Sequence, residues 1–83
     1  MEPITEALDL LQRQARIQES LRQRRGNPVL EERELYVIRQ QLTRYPAAVQ
    51  AIALTAAELH RPIESVRVAD VEATSRRSRQ LQA

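Results

Sequence analysis

His60 is the one histidine of the 83-residue chain, and it stands at Leu59-His60-Arg61-Pro62 with no second imidazole to join it. That fact bounds the available chemistry first. A zinc site draws on several His, Cys or acidic ligands at set spacing, and a nucleophile needs a base beside it. A lone imidazole at a corner supplies neither, and reads as a cap or a surface residue. The chain has no cysteine, so it has no disulfide framework, no thiolate ligand and no Cys nucleophile. Its single glycine, Gly26, rules out a glycine-rich phosphate loop. The expectation is a non-enzymatic protein with no catalytic residue, no cofactor and no metal.

The other groups able to do chemistry are the arginines. All 13 basic residues are Arg. Arginine suits bidentate recognition of phosphate or carboxylate, but a genome bias toward Arg codons produces the same count and is the favoured explanation. The net charge is +2, too small by itself to imply nucleic acid despite a pI of 9.9. The clusters Arg22/Arg24/Arg25 and Arg76/Arg77/Arg79 flank a neutral to acidic middle.

These residues have to be positioned by helices. Hydrophobic residues make up 42%, which supports a folded chain. Its length is that of one small domain, in which partners or self-association often complete the burial. Pro3 to Arg25 reads as a first helix, with Ala7, Leu10, Gln14, Ile17 and Leu21 at helical spacing and Leu11 beside them. Gly26-Asn27-Pro28 punctuates: Gly26 to take the left-handed closing conformation, Asn27 as N-cap, Pro28 at the first helical position. A second helix follows to about Arg44, antiparallel to the first, with Leu30, Leu35, Ile38 and Leu42 as its apolar residues. Tyr45-Pro46 then breaks or kinks the pattern, with a break favoured. Ala47 to Leu59 reads as a third helix with a seam of Val49, Ile52, Ala53, Ala56 and Leu59. A fourth begins at Pro62 and turns Ile63, Val66, Ala69 and Val71 inward, although Val66 and Val68 also alternate as a short strand would. From Thr74 the periodicity is lost. The organisation expected is an all-α domain over residues 1–73, a helical hairpin plus a compact helix pair, with a flexible basic tail over 74–83.

The run TAAELHRPIESVRV within the third and fourth segments resembles the helix-turn-helix of sigma-factor region 4 and of LuxR-type regulators. The matching positions are Ala56, Leu59, Arg61, Pro62, Ser65, Val66 and Arg67. Upstream, Arg33, Glu34, Val37 and Ile38 of LEERELYVIRQQL fall in register with the first helix of the LuxR-type domain. The resemblance covers about Leu30 to Glu72 at the level of pattern. It implies DNA binding, with Arg61 reaching phosphate, Ser65 and Arg67 the base edges, and Arg76, Arg77 and Arg79 adding salt-sensitive affinity. Three features depart from the family: His60 stands where Gly is usual, the segment between the first two helices is longer, and the would-be recognition helix carries Glu64, Asp70 and Glu72 against Arg67. Net negative charge facing a row of phosphates is unfavourable.

The residues therefore rank a protein-interaction or regulatory module first: an adaptor, chaperone or regulator acting through amphipathic helices. Leu10, Leu11, Ile17 and Leu21 of the thinly apolar first helix are the candidate interface, with a protein partner or a second copy in a homodimer. DNA-binding regulation ranks second. A small helical enzyme of the chorismate mutase type, a class that works mainly with Arg, Glu and Gln, ranks last, and no residue matches its pattern. The N-terminus lacks a basic region followed by an apolar run, and no stretch approaches a membrane span, so a cytoplasmic protein is expected.

Overall fold

The computed structural model describes residues 2–82, with side chains over residues 2–78. Four α-helices and a 3-10 turn account for its regular structure: α1 (Ile4–Gln23), α2 (Pro28–Leu42), α3 (Pro46–Leu59), the turn (Ile63–Ser65) and α4 (Val68–Gln82). Among the described residues there is no strand. The chain is thus a small all-α bundle.

The centre of the bundle is α1, which packs against α2, α3, the 3-10 turn and α4. Its face of Ala7, Leu8 and Leu11 joins Ala48 and Ile52 of α3, Val66, and Val71 of α4 in one buried cluster. Ile52 and Val71 are fully covered, so truncating Ile52 to alanine costs about 2–5 kcal/mol. Leu10, Leu35 and Ile38 are buried outside that cluster. The α1–α2 hairpin is antiparallel as expected: Asp9 and Leu10 share a cleft with Gln41 and Arg44, whereas Leu21 shares one with Glu32 and Leu35.

Helix ends follow local chemistry, with one correction. Asn27 caps α2, its Oδ1 accepting from Val29 N at 3.0 Å and Leu30 N at 3.4 Å. Gly26, however, is not the left-handed residue that closes α1. That conformation belongs to Arg24 (φ 55°), with Arg25 N donating to Ser20 O and Arg24 N to Leu21 O, the paired bonds of a Schellman ending. At Gly26 a Cβ would lie 2.7 Å from Glu31 Oε1, so its smallness makes room for that side chain. At the other corner, α2 stops at Leu42, and Tyr45 (φ −129°, ψ 50°) leaves helical space before Pro46 opens α3. The Tyr45-Pro46 step is a break.

The fourth helix starts at Val68, not at Pro62. Ser65 N donates to Pro62 O and Val66 N to Ile63 O, which winds a 3-10 turn, and Val66 then runs extended (φ −78°, ψ 138°) to bury its side chain. The segment is neither the expected helix nor a strand. Arg67 is the N-cap of α4, and Asp70 at the third helical position reaches back to Arg67 N at 3.0 Å, the acidic half of a capping box. The helix also continues past Thr74, which is 4% exposed, so Thr74–Ser78 belong to the domain rather than to a flexible tail. Packing of Val71 and Thr74 carries the helix through a stretch with little apolar periodicity. From Arg79 onward the side chains lie outside the described residues.

Candidate functional site

The corner resembling a helix-turn-helix is built from the end of α3, the 3-10 turn and the start of α4. His60 closes α3 in the left-handed conformation (φ 53°, ψ 43°), with Arg61 N donating to Ala56 O and His60 N to Ala57 O. Imidazole thus occupies the position where glycine is easiest, and the side chain faces solvent. Gln12 of α1 holds the turn from beneath. Its Nε2 lies 3.1 Å from Val66 O, 3.3 Å from Ile63 O and 3.4 Å from Glu64 O. Gln12 is not among the residues expected at this corner; its signal in the sequence is a polar residue one helical turn after Leu8, on the face that the core uses.

The six residues expected to meet DNA are not one free basic surface. Arg61 points to Asp70 at 4.0 Å. The Ser65 hydroxyl donates to Pro62 O at 3.0 Å, within its own turn. Arg77 pairs with Glu58 at 3.5 Å. Arg67 and Arg76 are exposed, but they stand nine residues apart along the chain, roughly 14 Å of helix rise. The Arg79 side chain lies outside the described residues. Asp70, one of the three acidic residues set against Arg67, is accounted for by the cap it makes.

The expected interface on α1 needs a correction at two of its four residues. Leu10 and Leu11 are each 7% exposed, covered within the chain itself. The apolar stripe looked thin because Leu8, outside the assigned seam, completes it. Ile17 and Leu21 are half-buried. The seam assigned to α3 shifts in the same way: Ala48, Ile52 and Thr55 are buried and Ala53 is exposed. Thr55 is tolerated there because its hydroxyl donates to Ala51 O at 2.9 Å.

The uncovered apolar surface lies instead on α2. Val29 is 61% exposed, Leu30 59%, Tyr36 66% and Val37 52%. With Arg33 they occupy positions i, i+1, i+4, i+7 and i+8, which places them on one helical face. Leu35 and Ile38 point the other way, into the bundle. A second open feature is a groove of about 420 Å³ between α3 and α4, lined by Ala47, Ala51, Leu54, Thr74 and Ser78. The Thr74 hydroxyl beside it is buried without a hydrogen-bond partner among the described residues.

No helix among the described residues is long and apolar enough to cross a membrane. No family model, curated protein or solved structure matches the chain.

Proposed function

We propose that the protein is a small non-enzymatic interaction module, of the adaptor, chaperone or regulator kind, that docks a protein partner through the outer face of α2. One observation carries this reading: Val29, Leu30, Tyr36 and Val37 share a face and are all more than half exposed. Contiguous apolar surface left in water marks an interaction site more often than a lone exposed side chain does. Tyrosine is among the residues enriched at the energetic centre of interfaces, and Glu32, Glu34 and Gln40 supply a polar rim. DNA binding is the weaker reading, because Arg61, Ser65 and Arg77 are engaged within the chain.

The test places a benzophenone-bearing phenylalanine at position 36 in the native cell and irradiates it. The expected result is an adduct with protein that is lost on Val37→Asp and absent when the probe replaces Glu72 on α4. Adducts with nucleic acid alone, or no protein adduct at position 36, would overturn the reading.

A further inference from the structure

We propose that the partner on this face is a second copy of the chain, its α2 laid antiparallel across a two-fold axis through Arg33. The inference rests on reading the outer face of α2 as a docking surface and goes on to name the occupant. It begins from spacing. Val29 and Leu30 stand four and three residues before Arg33; Tyr36 and Val37 stand three and four after it. Reversing the helix about Arg33 lays the stripe on itself, Val29 against Val37 of the second copy and Leu30 against Tyr36 of the second copy. Self-complementarity of this kind is what a closed two-fold contact requires.

Charge agrees with the same register. Arg33 forms no salt bridge within the chain among the described residues. Its neighbour Glu32 is exposed, while Glu34 pairs with Arg13 of α1 at 3.5 Å. On the antiparallel pairing, the two Arg33 side chains at the axis are flanked by the Glu32 carboxylate of each copy. That arrangement offsets the repulsion between the arginines and supplies each with a partner from the other chain.

The test uses the purified full chain, with sedimentation over about a hundredfold range of concentration. The wild-type mass is expected to rise from 9.6 kDa toward twice that value. Tyr36→Glu and Val37→Glu are expected to keep their far-UV circular dichroism and to associate more than about tenfold more weakly. Because the chain has no cysteine, single cysteines report the register cleanly. Arg33→Cys should form a disulfide with its own copy. Val29→Cys mixed with Val37→Cys should cross-link, whereas Val29→Cys alone should not, its two copies lying about 12 Å apart along the helices. A wild-type monomer at every concentration overturns the proposal, as does Val29→Cys cross-linking alone as readily as the mixture. A monomer that still gives the Tyr36 photo-adduct with another protein overturns this proposal and leaves the docking surface standing.

Discussion

Gln12 and Val66 are 54 residues apart in sequence, and the Gln12 amide nitrogen stands 3.1 Å from the Val66 carbonyl oxygen. The amide has two hydrogens for the three carbonyls around it, and it anchors a turn that has no regular ladder of its own. Gln12→Leu removes the donor and leaves the part-buried Val66 carbonyl unpaired, at a cost of about 1–3 kcal/mol in urea unfolding. Gln12→Glu makes a sharper test. An ionised carboxylate cannot donate, so this variant should be weaker at neutral pH and recover as the pH falls through about 4, where the protonated acid donates again. A Gln12→Glu protein as stable as wild type at neutral pH would remove the clasp from the account.

Asp70 accepts from Arg67 N and faces Arg61 at 4.0 Å. The two contacts should differ in weight. Asp70→Ala loses the cap as well as the ion pair and should cost about 1 kcal/mol. Arg61→Ala loses only a long, exposed ion pair and should cost less than about 0.5 kcal/mol. Equal losses in chemical denaturation would mean that the ion pair, rather than the cap, starts α4.

Arg24 and His60 both hold left-handed backbone with a side chain attached. Arg24→Gly and His60→Gly should each stabilise the fold by about 0.5–1 kcal/mol, the relief of the left-handed strain less the entropy glycine adds to the unfolded chain. Gly26→Ala should lie within about 0.5 kcal/mol of wild type, because Gly26 does not have positive φ and its neighbour is the movable end of Glu31. Thermal unfolding of the three variants checks the order, and a Gly26→Ala loss larger than either gain would reverse the assignment.

The Tyr45 phenol donates to Glu6 Oε2 at 2.8 Å, and its pKa is raised above 10.0, first by that hydrogen bond, then by desolvation and by the Glu6 charge, with Arg44 opposing. A raised folded value means that the bond's stabilisation is complete below the unfolded value near 10 and is lost as pH climbs through the folded one. Glu6→Gln should bring the Tyr45 titration down, followed at its ring carbon by NMR. An unchanged titration would show that Glu6 does not hold the phenol.

The helix boundaries written in side-chain chemistry were readable: Asn27-Pro28 and Tyr45-Pro46 mark their corners by properties of the residues themselves. What failed depended on contacts made elsewhere. Gly26 looks like the natural stop, yet Arg24 closes α1 two residues earlier, and no local propensity favours Arg over Gly there. Thr74 reads as the start of a tail until Val71 and α3 cover it. On α1, the registers containing Leu8 and Leu10 are both apolar, and only the packing of α3 and Val66 on one side and of α2 on the other decides that both are used. The surface on α2 is hidden for the same reason: Leu30 groups with Leu35, Ile38 and Leu42 by sequence, and only the packed helix turns Leu35 and Ile38 inward and Leu30 out.

The burial of Ala7, Leu8 and Leu11 against Val66 and Val71 sets an order of events as the chain is made. The face that α1 presents to the core is synthesised first and completed last, when residues 66–71 have left the ribosome. Until then the local α1–α2 hairpin, closed by Leu10, Leu35 and Ile38, is the available unit. Hydrogen exchange on stalled chains ending before Ile63 should find that hairpin protected and the remainder open. Protection of α3 in such a chain would show that the core closes without its final segment.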